Sequence, residues 1–102
     1  MRIMKKTVPL DDDFGQMCIS ALRYALGRRT YIVGVTVDYL IARLNENCFS
    51  ERVLGVMRQD LSRYFEDRKN GLVEDDDFDL EEWQKLWDVL NEKWEKEEWW
   101  TL

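Results

Sequence analysis

The sequence predicts an all-α fold, a compact bundle of about four helices, with residues 1–102 forming a single helical domain. Apolar side chains recur at helical spacing over four separate stretches of the chain. Capping residues, glycines and one asparagine–glycine pair separate these stretches, as expected at helix ends. A chain of 102 residues is long enough to enclose one hydrophobic core but not two.

The first helix is predicted over residues 12–26. Residues 1–10 precede it as an extended lead-in, because Pro9 prevents a helix from running through them. The three aspartates at positions 11–13 favour a helix start, and Gly27 suits the left-handed conformation that ends many helices. The apolar positions of this helix are Phe14, Met17, Cys18, Ala21, Leu22, Ala25 and Leu26.

The second helix is predicted over residues 35–45, after a turn at residues 27–34. The β-branched run through residues 31–37 also fits a short strand near residues 31–36, and this alternative stays open. Helical spacing resumes with Val37, Leu40, Ile41 and Leu44. A strand at this place has no obvious partner elsewhere in the chain, so the helix is preferred.

The third helix is predicted over residues 51–69. Ser50 is a favourable N-cap, and the Asn70-Gly71 pair is typical of a helix stop. The apolar face of this helix consists of Val53, Leu54, Met57, Leu61, Tyr64 and Phe65.

The last helix is predicted over residues 80–98, after an acidic loop at residues 72–79. Asp79 followed by Glu82 resembles a capping box, in which two side chains satisfy the first backbone amides. The predicted core positions of the last helix are Leu80, Trp83, Leu86, Trp87, Leu90 and Trp94.

Several classes of site are disfavoured by composition. The chain has no histidine, which excludes a histidine-based catalytic triad and the common histidine-bearing zinc sites. Cys18 and Cys48 are predicted to be reduced structural thiols. The aspartates near residue 76 lack the central glycine and the closing glutamate of a calcium-binding loop, so no metal site is predicted there. No other cofactor is predicted. No apolar run approaches the roughly 20 residues of a membrane span, and the expected location is the cytoplasm.

The turn after the first helix is a candidate anion site. Arg28, Arg29 and Thr30, with Arg23 one turn earlier, offer guanidinium and hydroxyl donors to a phosphate or carboxylate. The alternative is structural: the arginines cap the first helix and pair with Asp38 or with acids of the third helix. No glycine-rich cradle or Walker lysine supports the phosphate interpretation.

The same stretch carries a resemblance. The string Arg23-Tyr24-Ala25-Leu26-Gly27-Arg28-Arg29-Thr30-Tyr31, preceded by Phe14-Gly15, resembles a family of small proteins from Gram-positive phages and related mobile elements. The resemblance covers roughly residues 12–90, and relatives often have Met-Pro after the tyrosine, where this chain has Ile32-Val33-Gly34. It implies a mobile-element origin and brings no established activity; an anti-CRISPR or other anti-defence role is the expectation it raises.

Negative charge is concentrated at the end of the chain. Residues 73–102 contain three lysines and twelve acids, a net charge of −9, whereas residues 14–72 have a net charge of +3. Regularly spaced carboxylates can imitate a nucleic-acid backbone and occupy a basic channel on another protein. The alternative is a solvated helix face. The candidate partner-binding carboxylates are Asp75, Asp76, Asp77, Glu81, Glu82, Asp88, Glu92 and Glu95.

Trp99 and Trp100 follow the last regularly patterned turn. An exposed tryptophan pair would provide a partner or homodimer contact, since tryptophan is enriched in interface hot spots. The alternative is that the pair folds back over the core as a lid.

These observations favour a non-enzymatic protein that binds and inhibits a host protein with a basic nucleic-acid channel, for example a CRISPR effector, and that does not enter membranes. Two alternatives stay open. One is a binder of small anions such as nucleotides at Arg28 and Arg29. The other is direct DNA binding by a helix-turn-helix formed by the second and third helices, which the net charge of −6 opposes.

Overall fold

The computed structural model describes residues 8–9, 12–28, 33–72 and 80–100. Most of these residues lie in four helices, which confirms the predicted all-α bundle. The helices are α1 (Asp12–Arg28), α2 (Val33–Glu46), α3 (Glu51–Lys69) and α4 (Leu80–Glu95). Two short parallel strands, β1 (Val8–Pro9) and β2 (Asn47–Cys48), pair beside them. No helix within these ranges has the length and apolar character of a membrane span.

The helices pack in the cyclic order α1, α2, α4, α3. Helix α1 contacts α2 and α3, and α4 contacts the same two helices, so that α1 and α4 are diagonal to each other. The consecutive helices α2 and α3 are the other diagonal pair and share no extended interface. A helix-turn-helix needs its two consecutive helices to pack together. The packing of α2 and α3 therefore gives no support to a DNA-reading helix-turn-helix, and that alternative stays a prediction.

Helix α3 has the predicted bounds because both of its ends are satisfied locally. The Ser50 side chain accepts a hydrogen bond from the Val53 backbone amide at 3.2 Å, as an N-cap should. At the other end, Gly71 has a φ of +74°. The Gly71 amide donates a hydrogen bond to the Arg68 carbonyl at 3.1 Å, and the Leu72 amide donates one to the Asp67 carbonyl at 2.9 Å. These two hydrogen bonds define a Schellman motif.

The boundary between α1 and α2 differs from the prediction. Gly27 is helical and lacks a positive φ, so it does not end α1, which continues to Arg28. Helix α2 begins at Val33, so that residues 33–36 are helical and the strand alternative is wrong for them. Helical spacing brings Val37, Leu40 and Leu44 into the core, each at most 1% exposed. Residues 29–32 lie outside the described part of the chain.

Helix α4 ends at Glu95, three residues before the predicted end. Glu97 has a φ of +53°, and the amides of Glu97 and Glu98 donate to the Trp94 and Lys93 carbonyls. These bonds form a second Schellman motif, with glutamate at the position that glycine usually takes. The chain therefore reverses direction after α4. The predicted capping box at Asp79 lies outside the described residues.

The core contains buried side chains from all four helices, with Trp83 fully buried among them. Two predicted core residues are exposed instead: Met17 is 62% and Leu80 is 45% accessible. Met17 is exposed because the two helices that contact α1 cover a narrower arc than its apolar stripe. Leu80 is exposed because it is the first residue of α4. Ile19, which the helical pattern did not include, is buried.

Both cysteines are buried and free, as predicted for structural thiols. Burial raises the pKa of the Cys18 thiol, an effect that the nearby positive charge of Arg43 opposes. The neutral thiol is therefore the favoured form of Cys18 in the folded chain.

Candidate functional site

Four of the five carboxylates of α4 align on the side of the helix that faces away from the core. We use the name acidic face for Glu81, Asp88, Glu92 and Glu95, all of which are exposed. Their spacings of seven, four and three residues keep them within one stripe of a 3.6-residue helix, about 21 Å long. The buried side chains of α4 occupy the opposite side. The core thus fixes the direction in which the acidic face points.

Lysines and one amide moderate the charge of this stripe. Lys96 Nζ lies 2.8 Å from Glu92 Oε1, and Gln84 donates to Asp88 at 3.2 Å. The hydrogen bond and charge of Lys96 lower the pKa of Glu92, and the reciprocal contact raises the pKa of Lys96. Exposed pairs of this kind are easily exchanged for other partners because water and salt screen them.

Glu82 is not part of the acidic face. It lies about a quarter turn away around α4, its side chain is 23% exposed, and Lys85 contacts it at 3.3 Å. The hydrogen bond from this contact raises the pKa of Lys85. Among the predicted carboxylates that the structure describes, Glu82 is therefore the one that faces the edge of the bundle.

The described part of the acidic end is much less charged than a nucleic acid. Helix α4 contains five acids and two lysines, a net charge of −3, and the whole of residues 80–100 has a net charge of −4. A B-DNA segment of the same 21 Å length has roughly twelve phosphates. The carboxylates are also unevenly spaced, at about 10, 6 and 4.5 Å along the axis. Asp75, Asp76 and Asp77, which would add charge, lie outside the described residues.

Trp99 and Trp100 are buried, each only 7% exposed, so the predicted exposed tryptophan contact is wrong. The Trp100 amide donates to the Phe49 carbonyl at 3.1 Å, and its indole Nε1 donates to the Cys48 carbonyl at 2.8 Å. The Trp99 ring lies 5.0 Å from the Trp94 ring. The pair folds back over the core, which is the lid alternative.

The tryptophan lid covers residues 47–50, whose backbone pairs with two other segments of the chain. Strand β1 pairs with β2 along one edge of residues 47–50, while Trp100 pairs in parallel with Ser50 on the other. The Glu51 amide also donates to the Trp100 carbonyl at 3.1 Å. Backbone partners far apart in sequence thus satisfy the connection between α2 and α3.

Among the arginines of the predicted anion site, the structure describes the side chain of Arg23. Arg23 forms a two-pronged contact with Asp60 of α3, at 2.5 Å from Nε and 3.3 Å from Nη2. The hydrogen bond to Asp60 raises the pKa of Arg23. The structural alternative, pairing with an acid of the third helix, is what Arg23 shows.

The remaining residues of the predicted anion site stay untested. The Arg28 side chain, Arg29 and Thr30 lie outside what the structure describes.

One surface feature was not predicted from the sequence. A groove of about 720 Å³ runs between α3 and α4, and the guanidinium of Arg58 lies in it. This guanidinium is 5.8 Å from the centre of the Trp87 ring and 5.3 Å from that of Trp94, and its Nε donates to Asn91 at 2.7 Å. The seven-residue spacing of the two tryptophans was the available signal, but it was interpreted only as core.

Within the described ranges, no group of three or more cysteine, aspartate or glutamate side chains is placed to hold a metal ion.

No protein-family model, no curated protein and no solved structure matches this chain. The resemblance to phage proteins therefore stays a prediction, as does the role that it implies.

Proposed function

We propose that the protein is a non-enzymatic binding protein that inhibits a host nucleic-acid-handling protein. Its acidic face would occupy the basic channel of that partner, and a CRISPR effector is the example that the phage resemblance suggests. The observation that supports this proposal most is the alignment of four exposed carboxylates on the outer side of α4.

The mode of binding follows from the modest charge of α4. With a net charge of −3 over residues 80–95, the helix is not a copy of a duplex. It provides a rigid rod of carboxylates that arginines and lysines of the partner can contact one by one. Lys85 and Lys96 are exposed, so their ion pairs can reorganise when the partner binds.

The salt dependence of such a complex is predictable. Charges on exposed surfaces attract over about 8–10 Å at physiological ionic strength, and added salt shortens this range. The association rate should therefore fall as salt is added, while dissociation changes less.

The experiment that tests the proposal is affinity capture from a Gram-positive bacterial lysate with tagged protein, with and without nuclease treatment. A stoichiometric protein partner that survives nuclease and itself binds nucleic acid is the expected result. A partner that disappears after nuclease treatment would contradict the proposal, because it would show that nucleic acid mediates the contact.

A further inference from the structure

Arg58, in the groove between α3 and α4, has no acidic partner within the described part of the chain. Its Nε donates to Asn91, and no other hydrogen bond or ion pair joins its guanidinium to a described residue. The side chain is half-buried, and its groove neighbours Gly55, Gln59 and Ser62 carry no charge. A guanidinium has five N–H donors, so the two Nη groups of Arg58 stay available to an acceptor from outside the chain.

The two tryptophans that line the groove beside Arg58 are fixed by other aromatic side chains. The Phe65 ring meets the Trp87 ring edge-on at 5.9 Å, and the Trp99 ring lies 5.0 Å from the Trp94 ring. Trp87 and Trp94 are partly buried, and each lines the groove with the rest of its surface. A site whose side chains are already held in place loses little conformational freedom when a ligand binds.

We propose that this groove is a binding site for a small aromatic carboxylate. The carboxylate of the ligand accepts hydrogen bonds from the Nη groups of Arg58, because a planar guanidinium and a planar carboxylate match in shape and charge. The ring of the ligand packs against Trp87 and Trp94, since aromatic rings attract one another in offset and edge contacts. The groove volume of about 720 Å³ lies within the range of about 300–1,000 Å³ that is typical of small-molecule sites.

The charges along the groove favour a ligand with a single negative charge. Among the described residues that line it, the second cation is Arg63, about 7.5 Å farther along the axis of α3 than Arg58. Glu66 and Asp67 follow within the next turn, where they offset the charge of Arg63 and repel a second negative charge. A phosphate dianion binds best where several cations meet, so this arrangement favours a carboxylate over a phosphate.

The alternative is that Arg58 only joins α3 to α4. That structural role needs its contacts with Asn91 and the two indole rings, and it makes no use of the Nη groups. The ligand site does not rest on the proposed function, because none of the four carboxylates of the acidic face lines the groove.

The first test is a titration of the full chain with cinnamate, followed by heteronuclear NMR through the indole N–H signals of the five tryptophans. The signals of Trp87 and Trp94 should move with a dissociation constant below about 1 mM, whereas the signal of the fully buried Trp83 should stay in place. Cinnamamide, which has the same ring without the charge, should bind at least about tenfold more weakly.

Three results of this titration would overturn the proposal. The first is no movement of the Trp87 and Trp94 signals up to about 10 mM cinnamate. The second is equal affinity for cinnamate and cinnamamide, which would show that the guanidinium takes no part. The third is equally tight binding of inorganic phosphate, which would contradict the preference for a singly charged aromatic ligand.

The second test uses variants of α3. Arg58→Gln should weaken cinnamate binding at least about tenfold. Arg52→Gln is the matched control, because it removes a guanidinium from an exposed position of the same helix that does not line the groove. It should change the dissociation constant less than about twofold, since salt screens a charge at that distance. Equal effects of the two substitutions would refute a specific role of Arg58.

Ser62→Phe separates ligand binding from helix packing, because it keeps Arg58 and both tryptophans. Ser62 is exposed and lines the groove, so a phenyl ring at this position fills the site without entering the core. The variant should unfold at the same urea concentration as wild type and bind cinnamate at least about tenfold more weakly. Unchanged binding by Ser62→Phe would contradict the assignment of the groove as the site.

Discussion

Gly15 is the residue at which the packing of α1 against α3 is most sensitive to a small change. A Cβ atom added at Gly15 would lie 2.6 Å from Val53 Cγ2 and 3.1 Å from Cγ1. Both distances are far below the roughly 3.5–4.0 Å of a favourable carbon–carbon contact. Val53 is buried and β-branched in a helix, which leaves it essentially one rotamer and no room to move aside.

The magnitude follows from two opposing effects of Gly15→Ala. Replacing a helical glycine with alanine stabilises a helix by up to about 1 kcal/mol. Overpacking a tight core costs about 1–3 kcal/mol. Because Val53 cannot yield, the second effect should dominate, and we expect Gly15→Ala to lower the free energy of unfolding by about 1 kcal/mol.

Gly27→Ala is the matched control for this prediction. Gly27 lies in the same helix, is exposed, and has nothing within 4 Å of an added Cβ. Its substitution should stabilise the protein by about 0.5–1 kcal/mol. Urea denaturation followed by circular dichroism measures both values. A Gly15→Ala protein that is stabilised as much as Gly27→Ala would refute the close approach of α1 to Val53.

Three further predictions concern the end of the chain and the thiols. Trp100→Phe should lower the free energy of unfolding by about 1–3 kcal/mol in the same denaturation experiment, because it leaves the buried Cys48 carbonyl without its indole donor; an unchanged value would show that the lid is not closed in solution. Glu97→Gly should be more stable than Glu97→Ala by about 1 kcal/mol, because only glycine adopts the +53° φ without strain; equal stabilities would contradict the left-handed turn after α4. Burial raises the pKa of Cys18, so the folded state resists its ionisation; the associated stability is present below the ordinary thiol pKa and is lost as the pH rises toward the raised value. Stability should therefore decline above about pH 9, and this alkaline decline should be smaller in Cys18→Ala.

The elements that the sequence predicted well are those with local signals at both ends. Helix α3 has Ser50 before it and Asn70-Gly71 after it, and its bounds were predicted to the residue. Gly27 shows the limit of the same rule. A glycine ends a helix only where the backbone turns left-handed, as at Gly71, and residue type alone does not distinguish the two cases.

The errors arose where distant parts of the chain decide the outcome. Met17 fits the apolar pattern of α1, but its burial depends on how wide an arc α2 and α3 cover. Trp100 is buried because it pairs with a segment some fifty residues earlier, and no local pattern indicates that contact. The groove between α3 and α4 that contains Arg58 was missed for the same reason, because residues of two separate helices form it together.

The acidic face was partly predictable. Helical spacing places the four carboxylates of the acidic face on one stripe, and the burial of Trp83 on the opposite side of α4 directs that stripe outward. Their ion pairs with lysines were not predicted, because they depend on side-chain conformation. These pairs bear on the proposed function, since the lysines reduce the net charge that a partner would encounter.

The central claim is that the acidic face binds a basic partner, and it is tested most directly by calorimetric titration of the captured protein. The variant neutralises the face with Glu81→Gln, Asp88→Asn, Glu92→Gln and Glu95→Gln. The control removes the same number of charges from other exposed positions, with Asp38→Asn, Glu46→Gln, Glu51→Gln and Glu66→Gln. Both changes alter the net charge from −6 to −2.

If the acidic face is the binding surface, its variant should lose at least about a hundredfold in affinity, and the control should lose less than about fivefold. Equal losses would show that only total charge matters, and unchanged binding by the acidic-face variant would contradict the account.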